Sequence, residues 1–175
     1  IPGGGIAVGI GSYNGSEPLL PTNVNGTLYF QARDSVNGAE LWRINSAGVA
    51  EMVEDALPGG GINSGSNHSS PGTLLNVNGT LYFQATDGVN GYELWRINNS
   101  GVAEMVEDAV AGGGINPGSN GSGASYLTNV NGTLYFRATD GLNGYEVWRI
   151  NSSGVADMVE DAVAGSGISP WINSS

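Results

Sequence analysis

One stretch, NVNGTLYFQATDGVNGYELWRIN from Asn76 to Asn98, occurs three times in this chain, its other copies beginning at Asn23 and Asn129. The tryptophans Trp42, Trp95 and Trp148 put the period at 53 residues. A fixed period of that order is the signature of a repeat architecture, in which one supersecondary unit is built several times and each copy buries its apolar face against the next. Nothing else in the sequence restricts the fold as strongly.

Within the repeat, alternation reads as strand. In TLYFQA, Leu81, Phe83 and Ala85 fall on one face, and Thr80, Tyr82 and Gln84 on the other. In ELWRI, Glu93, Trp95 and Ile97 oppose Leu94 and Arg96. Aromatic and β-branched residues suit a pleated, half-buried surface. Asn78-Gly79 lies between two such runs, the pattern of a two-residue type I′ hairpin. The cluster TDGVNG predicts a second turn, NNSG a third, and VAEMVEDA a fourth, weaker strand. Gly and Asn interrupt the chain too often for a helix. The expectation is all-β: three tandem four-stranded antiparallel blade-like repeats, β-propeller-like but not a closed ring within one chain. Residues 1–22 form an N-terminal strand and linker, 23–75 the first repeat, 76–128 the second, and 129–175 the third with its C-terminal linker.

On the residues GTLYFxAxDGxxGxELW, the repeat resembles the ELWxxDGT repeat of secreted bacterial proteins, which is itself similar to β-propeller blades. The pattern departs at Asn45-Ser46-Ala47-Gly48, Asn98-Asn99-Ser100-Gly101 and Asn151-Ser152-Ser153-Gly154, which stand in place of the DGT turn, and at Val147, where the third copy reads EVW. The resemblance implies a blade-like fold and a secreted or cell-surface location. It implies no defined activity.

Composition agrees with a turn-rich extracellular protein. There are 30 glycines in 175 residues, against a usual share of ~7%. The net charge is −11, and all five basic residues are arginines. Without a basic patch, nucleic-acid binding is excluded as a function class, and no apolar run is long enough for a membrane-spanning helix. Cysteine is absent, so neither disulfides nor thiol chemistry enter. The first residue, Ile1, suggests a processed or partial product.

The linkers, such as PGGGINSGSNHSSPG from Pro58 to Gly72, read as surface loops. The N-terminal counterpart adds an alternating run, Ile6, Val8 and Ile10, that the other linkers lack, and the C-terminal one carries Trp171 and Ile172. These five are the candidate assembly residues: an extra strand and an apolar tail, in the same phase of the repeat at the two ends. They suit either pairing within the first blade or head-to-tail contact between copies, which completes a ring or continues as a filament. The filament is the preferred expectation.

Three patterns could carry chemistry. The N-x-S/T sequon occurs at Asn14, Asn67, Asn120 and Asn173 in the linkers and at Asn98 and Asn151 after ELWRI and EVWRI, all candidate glycan attachment sites. At Asn25, Asn78 and Asn131 the sequon follows from the hairpin itself. The pattern DxxNGxE (Asp34/Asn37/Glu40, Asp87/Asn90/Glu93, Asp140/Asn143/Glu146) offers oxygen ligands for calcium, which takes about six to eight. Turn formation explains the same residues equally well, so no cofactor is required. The pairs Glu54-Asp55, Glu107-Asp108 and Glu160-Asp161 read as solvated. One tryptophan per repeat could be a sugar-stacking platform, although its place beside Ile97 favours a core role. Arg43, Arg96 and Arg149 are expected to pair with carboxylates on the neighbouring strand. His68 has no counterpart in the other repeats, and no nucleophile motif accompanies it. The expectation is a non-enzymatic, glycosylated structural building block whose partners are copies of itself. A carbohydrate-binding propeller module is the alternative.

Overall fold

The computed structural model describes residues 15–57, 59–63, 67–110 and 112–160. These residues contain no helix and form three four-stranded antiparallel sheets, without a closed barrel or ring among them. Sheet 1 runs in order β1 (Leu19–Val24), β2 (Thr27–Asp34), β3 (Gly38–Ile44), β4 (Ala50–Met52). Sheet 2 follows as β5 (Gly72–Val77), β6 (Thr80–Thr86), β7 (Tyr92–Ile97), β8 (Ala103–Met105). Sheet 3 is β9 (Ser125–Val130), β10 (Thr133–Ala138), β11 (Glu146–Ile150), β12 (Ala156–Met158). Each sheet is thus a simple meander, the blade-like repeat expected from the sequence. Repeat boundaries drawn at Asn23, Asn76 and Asn129 fall inside β1, β5 and β9, because the first strand of each sheet begins upstream of the best-repeated residues. The candidate assembly residues Ile6, Val8, Ile10, Trp171 and Ile172 lie outside the described residues.

The turns form for the reasons the residues suggest. Asn25-Gly26, Asn78-Gly79 and Asn131-Gly132 all have positive φ at both positions, the type I′ geometry that matches the twist of the flanking strands. The fourth strand is held by a side chain: Asn98 Oδ1 accepts the N–H groups of Ser100 and Val102, and Nδ2 donates to Glu104. Asn45 does the same with Ala47, Val49 and Glu51. This Asx-type turn is what occupies the place of DGT. Arg43 pairs with Glu51 and Arg96 with Glu104 at 2.6 Å, and Arg149 with Asp157 at 3.1 Å, each across adjacent strands. Being partly exposed, such pairs are worth ~1 kcal/mol or less each.

The sheets pack in series, and always by the same pair of faces. The side of sheet 1 that carries Val24, Tyr29, Leu41 and Val53 joins one cluster with Leu81, Phe83, Ala85 and Trp95 of sheet 2. The opposite side of sheet 2, with Val77, Tyr82, Leu94 and Val106, joins Leu134, Phe136, Ala138 and Trp148 of sheet 3. One face of each sheet can therefore be called the tyrosine face and the other the tryptophan face. Strict alternation makes this possible: Phe83 pairs with Trp95 across β6–β7, and Tyr82 with Arg96. Trp95 and Trp148 are 4% exposed, and each indole N–H donates to an alanine carbonyl of its own sheet, Ala85 and Ala138, at 3.1 Å. The tryptophans are core residues.

Trp95 fills the space between two sheets, so truncating it leaves a cavity that the rigid meanders cannot close. Trp95→Ala should lower the unfolding free energy by about 3–5 kcal/mol, read from urea denaturation followed by far-ultraviolet circular dichroism.

Candidate functional site

The most unusual chemistry in the molecule is a set of buried carboxylates. Glu40 and Glu93 are fully buried and Glu146 nearly so, one per sheet, at the same position of β3, β7 and β11. An ionised carboxylate without solvent is costly unless hydrogen-bonded. Here the donors come from the linker that follows the sheet. Glu93 accepts from the N–H groups of Ile115 (3.2 Å), Asn116 (3.1 Å) and Ser122 (2.8 Å) and from the Ser122 hydroxyl (2.6 Å). Glu40 accepts from Ile62 N–H (3.1 Å), Ser69 N–H (2.9 Å) and the Ser69 hydroxyl. Each glutamate thus ties a loop that starts 22 residues downstream to its own strand, and the loop brings Ile62 or Ile115 into the core between sheets.

A second carboxylate holds the same loop from outside. Glu54 accepts from the N–H groups of Gly59, Gly60 and Gly61, and Glu107 from those of Gly112, Gly113 and Gly114. The GGGI run is therefore gripped between two acids. Gly61 and Gly114 have φ of +82° and +89°, and a Cβ on either would meet the buried glutamate side chain below 3 Å, so no other residue fits. The pairs Glu54-Asp55 and Glu107-Asp108 lie beyond the ends of β4 and β8, where the glutamate grips the glycines and Asp55 and Asp108 accept from Leu57 and Val110 N–H. Their reading as merely solvated residues missed this.

The DxxNGxE residues do not converge. Asp87 accepts from the backbone N–H of Val89 and Asn90 and from the Asn90 amide, while Glu93 is committed to the linker. Asp140 and Asn143 repeat the turn, as do Asp34 and Asn37. No group of three or more His, Asp or Glu side chains among the described residues could hold a metal ion. Despite desolvation, the hydrogen bonds from the partner asparagine hold Asp34, Asp87 and Asp140 below the usual carboxylate range. His68 accepts the Ala39 N–H on Nδ1 at 2.7 Å, a packing role in the one linker that has it.

The sequons divide. Asn67 and Asn120 are exposed and make no side-chain hydrogen bond among the described residues. The serines two positions on, Ser69 and Ser122, are fully buried on the glutamates. Recurrence of the serine therefore has a structural cause of its own. Asn98 and Asn151 are used by their turns. Asn14 and Asn173 lie outside the described residues. Sequence reading missed the serine's role, although Glu40–Ile62–Ser69 and Glu93–Ile115–Ser122 keep identical spacings.

No family model, curated protein or solved structure matches this chain.

Burial pushes Glu40 and Glu93 up to about 7 from 4.5, outweighing the opposing pull of their donors. A raised folded pKa contributes stability that is full below about pH 4.5 and is lost as pH rises through about 7. The unfolding free energy should therefore fall between pH 4.5 and 7.5, by up to about 3 kcal/mol per glutamate. Glu93→Gln should flatten that profile, which denaturant titrations at a series of pH values would show.

Proposed function

We propose that this protein is an extracellular structural building block that assembles end to end with copies of itself into a filament and carries glycans on its linker loops. The observation that carries the reading is the serial packing of the sheets: the same tyrosine-to-tryptophan-face joint is used twice in a row, without closure among the described residues. A series of this kind extends by adding units. The resemblance to ELWxxDGT repeats supports secretion, and the net charge of −11 suits a surface protein that must not bind nucleic acid. Exposed Asn67 and Asn120 leave room for a sugar. With Ser69 and Ser122 buried, an enzyme that reads the whole N-x-S triplet would act before the loop closes on its glutamate. The Ile6–Ile10 run and Trp171 would add strand exchange at the ends to this assembly.

The alternative, a carbohydrate-binding module, loses its natural platform, because Trp42, Trp95 and Trp148 are buried. Negative-stain images of the secreted protein separate the two: fibres are expected, and discrete discs that bind sugar would favour the alternative. Peptide mapping of native material before and after deglycosylation should show added mass on peptides containing Asn67 and Asn120, and unmodified asparagine at both would remove the glycan from the proposal. Deleting residues 1–12 should leave a folded protein with weakened or lost assembly by sedimentation.

A further inference from the structure

Besides their apolar faces, the sheets are locked together by a small set of polar bonds that repeats from joint to joint. Arg43 Nη1 of sheet 1 donates to Gly101 O of sheet 2 at 2.9 Å, and Arg96 Nη1 of sheet 2 donates to Gly154 O of sheet 3 at 2.7 Å. The Asn25 amide donates to Gly79 O, and the Asn78 amide to Gly132 O. In the reverse direction, Ala103 N–H donates to Glu54 O, and Ala156 N–H to Glu107 O, both at 2.9 Å. A Cβ on Gly101 or Gly154 would strike the arginine, and one on Gly79 or Gly132 would strike the asparagine amide, all below 3 Å. These glycines are seats for a side chain of the preceding sheet.

At the two outer faces, each half of this set is left over, and the halves match. Among the described residues, Arg149 on sheet 3 bonds only Asp157 of its own sheet, and the Asn131 amide has no partner. On sheet 1, the equivalent seats, Gly26 and Gly48, have nothing within 4 Å of an added Cβ. The bond equivalent to Ala103 N–H to Glu54 O is not made from Ala50 among the described residues. Part of the apolar surface is left open as well. Val130 and Val147 on the tyrosine face of sheet 3 are 46% and 39% exposed, where Val24, Val77, Leu41 and Leu94 are 7%, 5%, 0% and 0%. On the tryptophan face of sheet 1, Phe30, Ala32 and Trp42 are buried (6%, 0% and 9% exposed), but Leu28 at its edge is 40% exposed, where Leu81 and Leu134 are 0% and 1%. The Trp42 indole N–H, unlike those of Trp95 and Trp148, is buried without a hydrogen-bond partner among the described residues.

We infer that the outer tyrosine face of sheet 3 docks on the outer tryptophan face of sheet 1 of a second copy, re-creating between chains the joint that the chain makes twice within itself. Arg149 then donates to Gly48 O, Asn131 to Gly26 O, and Ala50 N–H to the Glu160 carbonyl of the other copy. Val130 and Val147 cover Leu28. The contact joins two different faces, so it propagates unless the chain of sheets curves round to close. Two departures sit at this face: Val147 in place of leucine, and Arg137, stacked 3.5 Å over the Tyr145 ring, in place of glutamine. Both are accommodated by a surface that has to remain soluble when uncovered.

The inference rests on the end-to-end reading above but names the contact, and the two fail separately. The test uses the full chain and two variants: one blocked on sheet 3 (Val147→Asp with Arg149→Ser) and one blocked on sheet 1 (Leu28→Asp with Gly48→Asn, since asparagine tolerates a positive φ). Sedimentation velocity of the wild-type protein should show species larger than one chain. Each variant alone should sediment as a monomer, and a 1:1 mixture should form a two-chain species and nothing larger, because one intact joint remains. That restored dimer also shows that both variants fold. Wild-type fibres that persist in both variants would overturn the joint and leave assembly to the chain ends. A discrete wild-type ring, with the variants behaving as described, would uphold the joint and overturn the filament. A monomeric wild-type protein at high concentration would overturn both.

Discussion

Everything in this architecture depends on a carboxylate without a counter-charge. Glu40 and Glu93 sit in the interior, facing backbone N–H groups and one serine hydroxyl rather than an arginine. Backbone donors lose no side-chain entropy on binding, so the linker satisfies the buried carboxyl oxygens at little entropic cost. A linker composed mainly of Gly, Ser and Asn, with a single isoleucine, has too little apolar content to fold by itself. The glutamate supplies a reason for it to adopt one shape, and that shape places Ile62 or Ile115 in the core and sets the start of the next sheet.

The second constraint is that each sheet has two different apolar faces. A sheet with one wet face can end a structure, but one that is apolar on both faces must be covered twice. Sheet 2 satisfies this through its neighbours. Sheet 3 leaves Val130 and Val147 exposed on its outer side, and sheet 1 buries Phe30, Ala32 and Trp42 on its outer side but leaves Leu28 exposed. Seen this way, the period of 53 residues is less a way to make a longer protein than a way to make a surface and its complement from the same code. The cost of such an arrangement is that each sheet depends on its neighbours to bury its apolar residues, as in other linear repeat arrays.

Much of this was legible in the sequence, and what was not has a common cause. Alternation in TLYFQA and ELWRI, the Asn-Gly hairpins, the buried tryptophans and the cross-strand arginine pairs are all local, decided within one strand or between adjacent ones. The role of Glu93 is not local. Its partners lie 22–29 residues away, so beside Asp87 and Asn90 it read as part of a calcium-like turn. Glu54 and Glu107 were misread although their donors lie only 5 to 7 residues on, because glycine N–H groups leave no trace in residue type. Ser69 and Ser122 were legible as sequons and only secondarily as ligands of a glutamate. The face of the sheet that is left uncovered could not be read at all: the residues at Val24, Val77 and Val130 are identical, and only packing separates them.

The chemistry of the joint also bears on how the proposed stacking fits so acidic a chain. At a net charge of −11, two copies repel at long range, and at physiological salt that repulsion is screened over about 8 Å. If the joint were made of arginine–carboxylate pairs, salt would weaken attraction and repulsion together. Instead, Arg43 and Arg96 are neutralised by a glutamate of their own sheet and spend only a remaining N–H on the neighbouring glycine carbonyl. Asn25 and Asn78 likewise donate to carbonyls. A joint of apolar contacts and bonds to backbone oxygen is nearly indifferent to ionic strength, whereas side-by-side association of acidic surfaces is opposed by charge. On the proposed joint, growth is confined to the one direction in which the faces fit, and acidity, by opposing side-by-side contact, would keep that stacking one-dimensional.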